Sequence, residues 1–396
     1  MSVSANWNYP TAVKFGAGRI AELPDYVRAL GMRRPLLVTD SALAALPITH
    51  DALKRLAEAG VEAALFSDVR SNPTDENLEG GVAAFRAGRH DGVVAFGGGS
   101  GLDLGKLVAF AAGQTRPIWD FEDIGDWWTR ADPAGIAPIV AVPTTAGTGS
   151  EVGRAGVITD SRAHVKKVIF HPKMMPGVVI CDPELTVGMP PKITVGTGLD
   201  AFAHCLEAYC ALGFHPLADG IALEGMRLVK EYLPRAFATP GDIEARGAMM
   251  AAAAMGATAF QKGLGAIHAL SHPVGALYDT HHGMTNAVVM PAVLDANRAA
   301  IEPKIERLAA YLGVAGGFDG FLAFVRSLRE ELGVPDTLTA LGVPREAFDQ
   351  ICDMSLTDPT AGGNPLPLTR ELAAQMLEAA FGWTGPVART LTENDR

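Results

Sequence analysis

Four of the ten histidines, His268, His272, His281 and His282, fall within one stretch of fifteen residues. His268 and His272 are four apart, a spacing that puts two imidazoles on one face of a helix. Asp200 and His204 repeat the spacing upstream with a carboxylate and an imidazole. Both pairs lie among small and apolar residues, where an unpaired ionisable group is costly. Three imidazoles and one carboxylate around a divalent cation satisfy all of them together, and such nitrogen and oxygen donors suit Fe²⁺ or Zn²⁺. The competing reading is a set of hydrogen-bonded core histidines with Asp200 as a helix cap. Two pairs at helical spacing plus a His-His-Gly turn favour the metal.

A second kind of chemistry is written in glycine. Residues 97–106, GGGSGLDLGK, follow an apolar run and open a helical pattern. Glycines let a backbone approach a phosphate, and a helix N-terminus offers N–H donors with a favourable dipole. Leu102 stands where the third glycine of a GxGxxG fingerprint would be, so the loop is a phosphate cradle of another type. A tight strand-to-helix turn without a ligand is the bland alternative. Residues 143–151, PTTAGTGSE, form another polar turn after an apolar run, able to hold a pyrophosphate or ribose or simply to cap a helix. Asp40 ends an early apolar run; an acid there accepts from ribose hydroxyls and favours NAD over NADP, or else caps a helix.

The elements that must position these groups change character along the chain. Residues 34–40, 61–66, 91–99, 137–145 and 177–183 are expected strands, and 50–60 and 77–87 expected helices between them. Strands alternating with helices predict a parallel, Rossmann-like α/β sheet with right-handed crossovers. After MPP at 189–191 long helical patterns take over, at 197–211, 218–233 and 242–261. The boundary is therefore expected near residue 190, with 1–190 as a dinucleotide-binding domain and 191–396 as an all-helical metal-binding and catalytic domain.

At 396 residues, 48% hydrophobic and 19% charged, the chain has the balance of a folded protein. A net charge of −11 argues against nucleic acid or an anionic membrane as partner. No basic segment leads an apolar one at the start, and Cys181, Cys205, Cys210 and Cys352 form no CxxC pair. A cytoplasmic location with reduced thiols is expected.

Together the motifs GGGSGLDLGK (97–106), PTTAGTGSE (143–151), GLDAFAHCLE (198–207), GAIHALSHPVGALYDTHHG (265–283) and NPLPLT (364–369) resemble the iron-containing (group III) alcohol dehydrogenases, whose relatives include glycerol dehydrogenase and dehydroquinate synthase. The resemblance runs in family order through most of the chain and implies a dehydroquinate synthase-like fold. It implies Asp200, His204, His268 and His282 as metal ligands and His272 as a second, non-ligand histidine near the reacting centre. It also implies Gly98, Gly99, Ser100 and Asp103 in one cofactor loop, Thr144, Thr145 and Ser150 in the other, and Asn72, Lys167 and Leu185 as further contacts to NAD. Gly153 stands where relatives often carry threonine, Leu366 replaces an arginine frequent in the C-terminal motif, and His281 sits directly beside His282.

The expected reaction is hydride transfer between nicotinamide and a small primary alcohol or aldehyde, with His272 relaying the proton. Arg154 is a candidate for pairing with a substrate carboxylate, as in a semialdehyde, although a surface or structural role competes. Trp119, Phe121 and Phe260 are candidates for an apolar pocket, or plain core. Two other readings keep the same pockets: a hydroxyacid–oxoacid transhydrogenase with tightly held NAD, and a non-catalytic binding protein. Relatives suggest a homo-oligomer, a dimer or larger.

Overall fold

The computed structural model describes residues 5–7, 11–163 and 165–382. Strands β1 (Ala5–Trp7), β2 (Ala12–Phe15), β3 (Leu36–Val38), β4 (Ala64–Phe66), β5 (Val93–Gly97) and β6 (Ile139–Pro143) belong to one sheet, while β7 (Ala155–Asp160) and β8 (Val165–Phe170) pair separately as an antiparallel hairpin. The sheet is completed by β9 (Val178–Cys181), giving the order β1-β2-β9-β6-β5-β3-β4. Six of these strands, β2 to β4 in that order, run parallel, and β1 pairs antiparallel with β2. Helices α1 (Leu23–Ala29), α2 (Ser41–Ala44), α3 (Pro47–Glu58), α4 (Asp75–Ala87) and α5 (Gly99–Ala111) lie between the strands in sequence.

The central strands read VVAFG and IVAVP, and every residue of both is buried. Continuous burial without alternation is what a parallel sheet covered on both faces requires. Helix α4 starts at a reciprocal cap: Thr74 Oγ1 accepts from Asn77 N–H, and Asn77 Oδ1 accepts from Thr74 N–H. Strand β3 pairs with β4 on one side and β5 on the other, so the order of strand addition reverses there. Open parallel sheets bind ligands beyond the carboxyl ends of the strands at such a reversal. Thr39–Asp40, the glycine loop and Thr144–Thr145 follow the ends of β3, β5 and β6 respectively.

The expected α/β pattern is present, with additions. Strands β1 and β2 and the β7–β8 hairpin are paired strands in segments not read as strands from sequence. Each hairpin strand has 6 residues, AGVITD in alternating burial and VKKVIF mostly half-buried, so neither offers the continuous apolar run that marks the central strands.

Beyond residue 190 come α6 (Pro191–Cys210), α7 (Pro216–Ala238) and α8 (Ile243–Ala259). They pack with the sheet as one compact unit, made of residues up to 209 together with 214–262. The change to helical sequence thus falls at 190, whereas the edge of compactness falls after 262. The reason lies in small residues. A Cβ on Gly147 would come within 2.6 Å of Thr197 on α6, and one on Gly149 within 2.4 Å of the Ala253 carbonyl and Ala257 on α8. The second polar loop is seated directly on these helices.

The other compact unit comprises 210–213 and residues from 263 onward. Its described elements are helical: α9 (Ala266–Tyr278), α10 (His282–Ala296), α11 (Arg298–Tyr311), α12 (Gly317–Glu331), α13 (Phe348–Leu356) and α14 (Arg370–Ala380). No helix among the described residues is long and apolar enough to cross a membrane.

Candidate active site

The first loop is built by what its residues lack. Gly97 ends β5 at φ +144°, a conformation that L side chains rarely adopt. Gly98 is the N-cap of α5 and no side chain caps it, so the N–H groups of the first turn remain for a ligand oxygen. A Cβ on Gly99 would stand 2.6 Å from Thr148 Oγ1, and one on Gly98 3.1 Å from Thr145. The two polar loops therefore touch through the glycines. The Ser100 hydroxyl donates to the Ser71 carbonyl, tying the loop to the segment that holds half-buried Asn72.

Behind the loops is a buried charge network. Asp103 accepts from the Ser150 hydroxyl and, at 3.2 Å, from Val157 N–H, with Lys106 Nζ 3.4 Å away. Lys106 is 1% exposed and donates to the carbonyls of Ser150, at 2.9 Å, and Ala155. Burial pulls the Lys106 ammonium below its usual range, with Asp103 opposing the shift. Burial pushes the Glu151 carboxyl up to about 7, with Lys106 opposing. Asp103 and Ser150 are thus engaged with each other, joining the first loop to the second.

Two hydroxyls in this region are left over. Thr39 Oγ1 and Thr144 Oγ1 are buried and find no hydrogen-bond partner among the described residues. An unsatisfied buried hydroxyl costs about 1–3 kcal/mol, so a polar ligand group beyond β3 and β6 fits them. Thr144 was expected from sequence; Thr39 was not, being one ordinary residue after an apolar run. Asp40 caps α2, its Oδ1 accepting from Ala42 N–H at 3.0 Å and Leu43 N–H at 2.9 Å, which leaves Oδ2 without a bond from the described residues. Lys167 pairs with Asp160 at 3.2 Å and Glu122 at 3.6 Å and lies over Trp119. Leu185 packs in the sheet core with Leu37, Val94 and Ile180.

The remaining candidates sort themselves by contact. Arg154 is exposed, donates to Gln261 at 3.4 Å and lies over Phe170. Phe121 is a core residue set edge-on to Phe110, and Phe260 lies against the His204 ring at 5.1 Å between centroids.

On α6, Asp200 and His204 occupy one face, and Asp200 Oδ1 is 3.7 Å from His204 Nε2. Gly256 of α8 makes room for this imidazole: a Cβ there would come within 3.0 Å of His204 Cβ and 3.2 Å of the Ala201 carbonyl. The alanine- and glycine-rich stretch of α8 is therefore small for two reasons, one facing the second loop and one facing His204.

In the helical unit, His268 and His272 share a face of α9, with ring centroids 5.7 Å apart. His282, the first residue of α10, stacks on His272 at 5.3 Å and lies 5.2 Å from His268. His281 is the N-cap preceding it. Asn286 Nδ2 lies 3.3 Å from His268 Nε2 and 3.2 Å from His282 Nε2. The C-terminal motif serves this array: Asn364 Oδ1 accepts from Ala266 N–H at 3.2 Å, fixing the first turn of α9. His272 Nδ1 is 2.8 Å from Asp358 Oδ2, a partner the sequence reading did not single out.

Asp200, His204 and His268 are all buried. Buried nitrogen and oxygen donors of this kind suit a divalent cation.

Comparison with known proteins covers most of the chain. Residues 10–183 match the family described as iron-containing alcohol dehydrogenase, and residues 194–381 match the C-terminal domain of that family. A 4-hydroxybutyrate dehydrogenase of Cupriavidus necator is 38% identical over 385 residues, covering 94% of this chain and 99% of its own. An NAD-dependent methanol dehydrogenase of Bacillus methanolicus is 34% identical, covering 95% of this chain and all of its own length. Among solved structures, a 1,3-propanediol oxidoreductase superposes with a TM-score of 0.89 at 35% identity, covering 96% of this chain and 100% of that one. A sulfoacetaldehyde reductase from Bifidobacterium kashiwanohense, solved with NAD⁺, superposes with a TM-score of 0.84 at 28% identity, covering 96% and 99%.

Proposed function

Because the chain belongs to the iron-containing alcohol dehydrogenase family, whose members are oxidoreductases acting on CH–OH donors, we propose that it interconverts a small primary alcohol and its aldehyde using NAD(H) and iron. The observation that carries this reading is a buried carboxylate and imidazole on one face of α6, Asp200 and His204, together with the paired imidazoles His268 and His282 of the helical unit. We assign the ion to Asp200, His204, His268 and His282. Zn²⁺ is accepted by the same donors. A bound divalent ion supplies Lewis acidity toward the substrate oxygen.

The chain's own residues do the rest. Gly98, Gly99 and Ser100 present backbone N–H groups to the pyrophosphate, and Thr144 and Thr145 border it from the second loop. Asp103 and Ser150 hold the two loops together, and Asn72, Lys167 and Leu185 flank the cofactor. The spare Oδ2 of Asp40 accepts from the adenosine ribose, favouring NAD over NADP. His272 takes the alcohol proton. On this reading residues 1–190 carry the dinucleotide and 191–396 the metal chemistry, in a cytoplasmic homo-oligomer, a dimer or larger. Four buried cysteines outside any disulfide and the acidic composition support a cytoplasmic setting.

The decisive assay follows NADH absorbance over a panel of alcohols and aldehydes, with apoprotein reloaded with Fe²⁺ or Zn²⁺. Turnover should require both the nucleotide and the metal. Activity that needs two organic substrates and no added NAD would instead indicate a transhydrogenase.

Among substrates, a carboxylated semialdehyde has support of its own: a 4-hydroxybutyrate dehydrogenase is 38% identical, and Arg154 is exposed, its one side-chain hydrogen bond among the described residues a long contact to neutral Gln261. Carboxylated and neutral aldehydes of equal length should differ in KM, and Arg154→Leu should erase the difference. Equal KM values in the parent enzyme would discard the idea.

A further inference from the structure

We propose that Asp358 is a positioning residue that sets the tautomer and orientation of His272, a role that rests on reading His272 as the proton acceptor. His272 is one turn beyond His268 on α9, and its Nδ1 meets Asp358 Oδ2 at 2.8 Å. Asp358 follows α13 in the turn before Asn364, and its side chain is 9% exposed. The other oxygen, Oδ1, accepts from Thr360 N–H at 2.8 Å and from the Thr360 hydroxyl at 2.5 Å. The carboxylate is therefore held on both oxygens and cannot turn away from the imidazole without breaking bonds to Thr360.

The consequence is chemical. Ionised, Asp358 is an acceptor only, so the proton of neutral His272 must sit on Nδ1. Burial alone raises the Asp358 carboxyl, but the His272 charge and the bonds from His272 and Thr360 together hold it below its usual range. Nε2 then keeps its lone pair and makes no hydrogen bond to any described residue. In the oxidation direction the substrate C–H leaves as hydride to NAD⁺, forming NADH, and the O–H proton passes to His272 Nε2 as the carbonyl forms. Asp358 keeps its charge throughout and stabilises the imidazolium.

The competing role for Asp358 is purely architectural, tying the turn after α13 to α9. A double-mutant cycle separates the two. Asp358→Asn, which can present an NH₂ to Nδ1 and reverse the tautomer, should lower kcat about 10- to 100-fold, the range for residues that orient a catalytic group. KM for alcohol and NAD and the bound iron should stay within about two-fold of the parent, as a role in orientation rather than in binding requires. In a His272→Ala background the same change should cost nothing further. Asp358→Glu should recover part of the lost kcat. Thr360→Val, a milder change that removes the hydroxyl bond to Oδ1 and keeps the backbone one, should lower kcat measurably and keeps the question open to test if Asp358→Asn does not fold. Unchanged kcat in Asp358→Asn or in Thr360→Val, or an equal loss with and without His272, would overturn the inference. If His272→Ala itself leaves kcat intact, the reading of His272 as acceptor fails first, and this is a distinguishable outcome.

Discussion

The cofactor loops and the histidine cluster are both polar sites in apolar surroundings, but they are built in opposite ways. Around the loops the decisive feature is absent side chains: Gly99, Gly147 and Gly149 bring backbones within reach of Thr148, Thr197 and Ala253, and the charged groups behind them are mostly paired with one another. Around α9 and α10 the decisive feature is present side chains, three imidazoles with centroids 5.2–5.7 Å apart that would repel one another if protonated. A loop site is shaped by exclusion and tolerates little added volume; an imidazole site is shaped by donors and tolerates little removal. The difference predicts how each should fail.

The largest effect should come from deleting a donor. His268→Ala should lower kcat/KM by about 10³-fold or more, since a Lewis acid contributes several kcal/mol to such reactions. Metal content by atomic emission should fall in parallel, while NADH binding by fluorescence titration stays within about two-fold, because NADH is held by the loops. Retained metal with lost activity would show that the two sites are not separable in this way. Adding volume to a loop comes next. Gly149→Ala must relieve an overlap with the Ala253 carbonyl at φ +65°, and should lose about 2–4 kcal/mol of stability by denaturant titration. A loss under about 0.5 kcal/mol would mean that the loop does not depend on that close approach.

The charge network behind the loops should show itself through pH. Glu151 has a folded pKa of about 7 against an ordinary 4.5, so the folded state binds the extra proton. Its contribution is fully present below the ordinary value and is lost as pH rises through about 7, with a slope of at most about 1.4 kcal/mol per pH unit. Glu151→Gln should flatten unfolding free energy between pH 4.5 and 7; an unchanged slope would assign it to other groups. The smallest effect should be at Asp40. Asp40→Asn retains the α2 cap within a few tenths of a kcal/mol but should relax discrimination against NADP, about ten-fold in the ratio of kcat/KM. If the ratio holds, Asp40 is a cap alone.

Much of this architecture was readable in advance, and what was not has a common origin. The buried runs of β5 and β6, the glycine loop and the His268–His272 pair are local patterns, visible because strand and helix periods act over a few residues. Strand β2, with 4 residues, and the β7–β8 hairpin, whose AGVITD and VKKVIF mix polar with apolar residues, lack the continuous apolar run that marks β5 and β6. Thr39 drew no notice because an unsatisfied hydroxyl is a fact about its surroundings. Asp358 was missed because it lies 86 residues from His272 in sequence.

The sequence by itself determined the chemistry on offer: a phosphate-cradling turn, an acid after an early strand, and carboxylate and imidazole pairs at helical spacing. These follow from backbone geometry, which the order of residues fixes locally. Only the tertiary structure decided how each polar group is employed. Asp103 is joined to Ser150 across 47 residues and His272 to Asp358 across 86, while α8 is kept small because a loop a hundred residues earlier rests on it. A buried polar atom is governed by the nearest donor or acceptor in space, and folding chooses that neighbour from anywhere along the chain.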